Sequence, residues 1–383
     1  MGKLMERVLR RLPPPAYLTM PALGVDISDR SLKWLELREE NIKGPFGSAR
    51  GNVVGGFGEI EIQKGTIESG QIKDKDGLLL ILQRVREESS ATRAVVSLPE
   101  EHTYTVSMRL PSVRLRELRD SILFSLDQYV PLSPAELVFD YEVVRAPNEV
   151  SDSFEVVVSA VPLTLANDYA SLVEEAGFSA LALEIESQAI ARASVPIDER
   201  IVVMVLDLGR MRSGISICQN GRVRFSSTIE VGGIEVERAL MDALGADEGT
   251  ARTLKEEKGF LVREDDDATK KRVALLSKTY GAFCEEVSKQ IEYWNVSGRL
   301  RLKGENDEGG EVSAIIVGGG EANTAGIVGF LEEKLSLPIE IANPWRNVLS
   351  FENTIPPMER STALRYTTAI GLSLRNSLPR RCA

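Results

Sequence analysis

Histidine is almost missing from this chain: His102 is the only one in 383 residues. A His-based triad or a His-ligated metal would have to rest on that residue, and its place just after Pro99 reads as a loop position. Cysteine is scarce as well. Cys218, Cys284 and Cys382 lie far apart and form no CxxC pair, which fits reduced thiols in a cytosolic protein. No apolar run is long enough for a bilayer; Ile201 to Leu206 is the length of a buried strand. The basic N-terminus lacks the apolar core of a signal peptide, so a cytoplasmic location is expected. A basic excess is lacking too. The net charge is −11, which leaves no broad nucleic-acid-binding face and argues against docking of the whole body onto anionic lipid.

The composition that remains, 43% hydrophobic and 27% charged, is that of a globular protein. Its length suits two or more domains. Residues 1–15 stand apart: Lys3, Arg7, Arg10 and Arg11 alternate with apolar residues up to Pro13-Pro14-Pro15, as in a short amphipathic helix or a frayed tail. The body opens with Ala22-Leu-Gly-Val-Asp26, an apolar strand ending in an acid, and Leu32 to Leu37 reads as its return strand. Residues 41–52 are Gly-rich and read as a loop. Asp76 to Glu88 reads as a helix, and Ala94 to Leu98 as a buried strand.

A segment with its own period follows. Pro111-Ser112 predicts a helix start with serine as N-cap. Leu115, Leu118, Ile122, Leu126 and Tyr129 then recur on one face. Strands are predicted at Leu137 to Val144 and Phe154 to Val161, then a helix from Leu163 to Ala176 with Gly177 as its cap. Glu184 to Ala193 reads as a helix. Ile201-Val-Val-Met-Val-Leu-Asp207-Leu-Gly209 then repeats the opening pattern of strand, acid, turn and strand, about 180 residues on. Asn220-Gly221 predicts a hairpin turn. A long helix is expected with Val273, Leu276, Tyr280, Phe283, Val287, Ile291 and Trp294 on one face, and Asp265-Asp-Asp267 at its N-terminal dipole end. Residues 303–311 read as an exposed loop. The strand Ala314 to Val317 runs straight into Gly318-Gly-Gly and a further helix, and Arg360 to Arg375 closes the chain as a helix.

A strand ending in Asp before a tight turn can aim backbone N–H groups at phosphate oxygens, while the acid holds the accompanying metal through water. Two such units would clamp a Mg-nucleotide. A Gly-rich strand-to-helix turn lets the backbone approach a base, ribose or phosphate. Each signal is common alone; their order within one chain is more specific.

That order resembles the superfamily of actin, heat-shock chaperones and sugar kinases. Several stretches are similar to the PilM family of type IV pilus assembly proteins: Gly24-Val-Asp-Ile-Ser-Asp-Arg-Ser-Leu-Lys33, Leu126-Asp-Gln-Tyr-Val-Pro131, Val138-Phe-Asp-Tyr141, Glu184 to Arg192, Asp207-Leu-Gly209, Gly232-Gly233, Gly319-Gly-Glu-Ala322 and Asn343-Pro344. The resemblance implies a two-lobed α/β fold, actin-like and ribonuclease H-like, with a small α+β insert. Its division would be a tail at 1–19, lobe I at 20–106, an insert at 107–178, returns to lobe I at 179–200 and 345–383, and lobe II at 201–344 with a helical subdomain at 234–310. It implies ATP or ADP with Mg2+. Asp26 and Asp207 would hold Mg through water. Lys33 would pair with phosphate, while Ser28, Ser31, Gly209 and Ser213 would line the phosphate turns. Gly233, Lys255, Gly319, Gly320 and Glu321 would flank ribose and adenine. Glu186 matches the acid that orients water in active relatives, or is a helix surface position.

The resemblance further implies a scaffold under the inner membrane that takes the N-terminal tail of a PilN-like membrane protein beside the insert. Other pilus platform proteins, or self-association, would complete its contacts. The sequence also departs from the pattern. Ser28, Asp29 and Arg30 stand where the first turn is expected to be glycine-led, Arg252 stands where an acid is expected, and Arg210 and Arg212 add charge to the second turn. A carboxylate facing phosphate costs several kcal/mol, roughly, in a poorly screened site. Nucleotide binding with little or no hydrolysis is therefore the expectation. The alternatives are a filament-forming division protein like FtsA, or a small-molecule kinase of the same superfamily.

Overall fold

The computed structural model describes residues 20–44, 47–147, 152–197, 199–262, 266–298, 310–349 and 354–375. The amphipathic stretch at 1–15, Asp265, most of the 303–311 loop and Cys382 lie outside the described residues. In chain order the elements are β1 (Leu23–Ile27), β2 (Ser31–Gly44), β3 (Gly47–Glu61), β4 (Ile67–Glu68), β5 (Gln71–Ile72), α1 (Lys75–Glu88), β6 (Arg93–Leu98), β7 (Tyr104–Pro111), α2 (Leu115–Leu126), β8 (Leu137–Arg145), β9 (Ser153–Pro162), α3 (Leu163–Glu175), β10 (Ser179–Ile185) and α4 (Glu186–Ser194). There follow β11 (Val202–Leu208), β12 (Ser213–Gln219), β13 (Arg222–Ile229), α5 (Gly233–Leu244), α6 (Glu248–Thr253), α7 (Asp267–Tyr293), β14 (Val312–Gly318), α8 (Ile327–Leu335), β15 (Ile339–Ile341), α9 (Arg360–Arg365) and α10 (Thr367–Leu374). Two compact units form. One holds the residues up to Pro99, Asn167–Ser194 and those from Asn343 onward; the other holds Glu100–Ala166 and Val195–Ala342.

The first unit is built on the sheet β10-β6-β1-β2-β3. All five residues of β1 are buried, as a strand covered on both faces requires. It runs parallel to β6 and antiparallel to β2. Every residue of α10 is buried, so this helix is enclosed all round and not striped, and the hydroxyls of Thr367 and Ser373 donate to backbone carbonyls of Leu364 and Ile370. Gly24 is the reason it can lie on β1: a Cβ there would sit 2.1 Å from the carbonyl oxygen of Ala369. Of residues 41–52, expected to loop, 41–44 and 47–52 instead extend the β2–β3 hairpin, with pairs running out to Gly44↔Gly47. An antiparallel ladder bonds through the backbone, so glycine weakens it without preventing it.

Glu184, expected in a helix, ends β10 opposite Ser97 of β6. Its buried carboxylate accepts from Arg192 on α4 and lies 3.0 Å from Arg375. Burial alone would raise that carboxyl, but the two guanidiniums bring it below its ordinary value.

The second unit carries two sheets, β13-β12-β11-β14-β15 and β7-β9-β8. On the smaller one, Leu118, Ile122 and Leu126 of α2 pack against Met108, Phe139 and Val156. Leu115, expected on that face, is 71% exposed because it sits at the first turn. The predicted cap at Ser112 is also replaced: Arg114 holds the N-cap without a side-chain bond. The ladder between β7 and β9 continues to Pro111↔Ser153, so the residue before Ser112 still belongs to the strand. On α7, Leu276, Tyr280, Phe283 and Val287 are buried, and Asp266 caps the helix by accepting from the Thr269 N–H at 2.6 Å. Cys218 and Cys284 are buried free thiols; burial pushes Cys218 up to about 12. Among the described residues, no helix is long and apolar enough to cross a membrane.

Candidate functional site

Each unit holds its own strand–acid–turn, built by different means. In the first, β1 carries Asp26 opposite Lys33 on β2. The turn between them is closed by Ser28. Its N–H and its Oγ both donate to the Ser31 carbonyl, at 3.0 and 2.9 Å, and the Ser31 N–H donates back to Ser28 Oγ at 3.3 Å. The serine side chain thus adds two hydrogen bonds, one donated and one accepted, to a backbone bond that glycine would also make. Lys33 Nζ donates to Ser31 Oγ at 2.7 Å and stands 3.9 Å from Glu59. Asp26 is buried, and Ser97 Oγ donates to its Oδ1 at 3.3 Å. Burial raises the Asp26 carboxyl above its ordinary value, the charge of Lys33 and the Ser97 bond pull it partly back, and Glu59 raises it again.

Asp29 does not aim its carboxylate into open space beyond the turn. Its Oδ1 accepts the backbone N–H of Gly70 at 2.9 Å. The hydroxyl of Tyr169, on α3, donates to the carbonyl of the same Gly70 at 2.9 Å. Glu186 opens α4, half-buried. Burial pushes the Tyr169 phenol up, and the charges of Glu186, Asp29 and Asp26 push it further, so all three acids lie within electrostatic reach of that ring.

In the second unit, Asp207 on β11 pairs with Gly214 of β12 and Gly318 of β14. Gly209 leads the turn; its carbonyl accepts the N–H of Gly233, the first residue of α5, at 3.1 Å. Ser213 is buried, and its Oγ donates to the Val231 carbonyl at 2.8 Å. Gly319 has φ +82°, and a Cβ there would sit 2.4 Å from the Leu208 oxygen and 2.6 Å from Asp207 Oδ1. Only glycine brings this backbone against the acid. Gly320 begins a short helical turn, Gly320–Asn323, that carries Glu321.

The carboxylate of Glu321 covers Gly233 and lies 2.6 Å from Lys255 Nζ. Lys255 sits on a single π-helical turn, Leu254–Lys258, and is 1% exposed. It also donates to Glu237 at 2.8 Å. Burial raises the Glu321 carboxyl, Lys255 lowers it, and Glu237 raises it again, for a net rise. Glu237 moves the opposite way: burial would raise it, but the Lys255 bond and charge, with Arg210 and Arg252, hold it below its usual range. Arg210 and Arg212, expected as spare positive charge, are engaged. Arg210 lies 3.0 Å from Glu237 and also pairs with Glu248, and Arg212 pairs with Glu101. Arg252, 3.7 Å from Glu237, is half-exposed.

In the first unit Ser28, Ser31 and Lys33 thus lie on the turn beside Asp26; in the second, Gly319 lies against Asp207, and Gly233, Lys255 and Glu321 form a group of their own. Sequence reasoning missed Ser97, Tyr169 and Glu237. Ser97 and Tyr169 carry no local signal, since both meet the first turn from distant strands and helices. Glu237 had one: an acid on the apolar face of a helix, beside Val236 and one turn before Leu240. Among the described residues, no group of three or more His, Cys, Asp or Glu side chains is placed to hold a metal by itself.

The chain's fold is similar to that of a solved PilM-PilN type IV pilus biogenesis complex at 18% identity, covering 94% of this chain and 99% of that one, with a TM-score of 0.72. It is also similar to MreB5 of Spiroplasma citri bound to AMPPNP, at 12% identity, 94% and 97% coverage and a TM-score of 0.52. A second structure of MreB5 of Spiroplasma citri, bound to ADP, matches at 14% identity, 86% and 94% coverage and a TM-score of 0.50. The fold is thus that of the actin-like ATPases. Residues 24–377 match the family described as type IV pilus assembly protein PilM. The chain belongs to the PilM family.

Proposed function

We propose that this actin-like pilus assembly protein is a cytoplasmic nucleotide-binding scaffold of the inner-membrane platform, one that turns ATP over very slowly or not at all. The observation that carries the reading is the strand-end acid followed by a hydroxyl-lined turn, Asp26 with Ser28 and Ser31, and Asp207 with Ser213, in a chain whose family match spans both. Asp26 stands beside the Ser97 hydroxyl and opposite Lys33, and Asp207 lies against the Gly319 backbone. That donor set fits Mg2+ brought in by phosphates and held through water, and does not suit a metal bound by protein alone. The MreB5 relatives were solved with AMPPNP and ADP, which supports an adenine nucleotide here. Lys33 would meet a phosphate, while Gly233 and the Gly319–Glu321 turn would face the nucleoside, with buried Lys255 holding Glu321 from behind.

Slow turnover follows from the departures. The cationic groups of the second turn are already paired with acids, which commits their charge away from a transferring phosphate. Glu186 is the candidate for water activation. The solved relative is a PilM-PilN complex, which supports a PilN-like N-terminal tail as the partner. Isothermal titration with Mg-ATP, Mg-ADP and a non-hydrolysable analogue tests the first half: all three should bind, with phosphate release no faster than in the protein-free control. A labelled N-terminal peptide of a PilN-like protein should bind saturably by fluorescence anisotropy. Brisk steady-state phosphate release contradicts the scaffold reading, and absence of heat with all three nucleotides removes it.

A further inference from the structure

Asp29 is the residue that least suits a phosphate turn, and the structure gives its carboxylate a specific partner. The partner is the tip of a minimal hairpin, where β4 and β5 pair through Ile67↔Ile72 and Glu68↔Gln71. Ser69 and Gly70 form the tip, with φ of +48° and +71°. Two consecutive residues in the left-handed region define a tight turn whose shape is set by the backbone. The hairpin is fixed at its base. The carbonyl of buried Thr66 accepts the N–H groups of Lys73 at 2.8 Å and Asp74 at 3.2 Å, and Asp74 then caps α1.

Gly70 is held on both sides. Its N–H goes to Asp29 Oδ1, and its carbonyl takes the hydroxyl of Tyr169, which is 1% exposed. On the other flank of Asp29, the Arg30 carbonyl accepts the Ile62 N–H at 2.9 Å, just past β3. The turn at residues 28–31 is therefore pinned to two neighbours that are not part of β1 or β2. A hydrogen bond to a carboxylate is among the stronger kinds, and here it joins segments 41 residues apart.

We propose that Asp29 is a positioning residue: through Gly70 and Tyr169 it holds the first turn in the geometry that receives the phosphates, and so sets nucleotide affinity. The inference rests on the nucleotide reading above. It reverses the expectation from charge alone, in which Asp29 repels phosphate and its removal tightens binding. What matters is the acceptor oxygen, and asparagine supplies one without the charge.

Isothermal titration with Mg-ADP and amide hydrogen exchange, both on the full chain, test it. Asp29→Ala should bind Mg-ADP about tenfold more weakly than the unaltered protein, the worth of one hydrogen bond to a carboxylate. Asp29→Asn should stay within about twofold. Exchange at residues 28–31 and at Gly70 should quicken in Asp29→Ala and not in Asp29→Asn. Tighter or unchanged binding by Asp29→Ala overturns the proposal, as does equal weakening in both variants. Should Asp29→Ala fail to fold, Tyr169→Phe serves instead: faster exchange at Gly70 with weaker Mg-ADP binding supports the proposal, and neither change overturns it. If the unaltered protein binds no nucleotide, the nucleotide reading falls and the proposed effect on affinity falls with it. The exchange arm still reads whether Asp29 pins the turn.

Discussion

The two strand–acid–turn units share a pattern and differ in what holds them. Around Asp26, side chains do the holding: Ser28, Ser31, Lys33, Asp29 and Tyr169 close and brace the turn with hydrogen bonds. Around Asp207, close backbone approach and a buried ion cluster do it: Gly319 abuts the acid, and Lys255 joins Glu237 to Glu321. A network of single hydrogen bonds yields by small steps when one is removed. Backbone contact and buried charge yield abruptly, because an added methyl has nowhere to go and a stranded charge has no water.

The sharpest way to break this contrast is at Gly319. Gly319→Ala should cost on the order of 4 kcal/mol, combining a positive φ with overpacking, and chemical denaturation will read it. A loss below about 1 kcal/mol would mean the backbone there gives way easily.

Glu237→Gln comes next. It leaves buried Lys255 and Arg210 short of a charge and should lower stability by about 3 kcal/mol at neutral pH. The sign with pH follows from the depressed carboxyl. Its stabilisation is present above the unfolded value of about 4.3 and is lost as pH falls through the lower folded value. Melts between pH 7 and pH 3 should therefore show the variant and the unaltered protein converging toward acid; parallel curves would count against the ion cluster.

Asp26→Asn should act in the other direction. The Asp26 carboxyl is raised, so its contribution is present below about pH 3.9 and is lost as pH rises through the folded value. Neutralising it should raise the melting temperature of the ligand-free protein by roughly 2 °C at pH 7, while abolishing the further rise that Mg-ADP gives. A lower melting temperature would show that the charge pair with Lys33 outweighs burial.

The smallest effect is expected at Arg252. Arg252 is half-exposed, and it stands 3.7 Å from Glu237 and 4.0 Å from Glu256, so solvent screens its charge and Arg252→Ala should change stability by less than about 0.5 kcal/mol in the same denaturation assay. A loss near that of Glu237→Gln would place Arg252 inside the buried cluster.

Much of the fold was legible in the chain. The apolar strands ending at Asp26 and Asp207, the striped faces of α2 and α7 and the glycine turn after β14 follow from periodicity and turn chemistry. Legibility failed where a partner strand overrode local preference. Residues 41–52 read as loop because glycine is a poor strand former, yet β2 and β3 pair through 41–44 and 47–52. Ser112 has cap chemistry, but pairing with β9 runs up to Pro111, directly before it, and the helix starts only after Arg114.

By itself the sequence determined the family, the double strand–acid–turn pattern and the choice of residues at each turn, because these are local properties of spacing and side-chain type. Only the tertiary structure decided what those residues do. Whether Asp29 meets a phosphate or a backbone amide, and whether Lys255, Arg210 and Arg212 are spare or spent, depends on groups tens of residues away. The direction of a charged side chain is set by the nearest partner that relieves its desolvation, and that partner exists only once distant segments have packed.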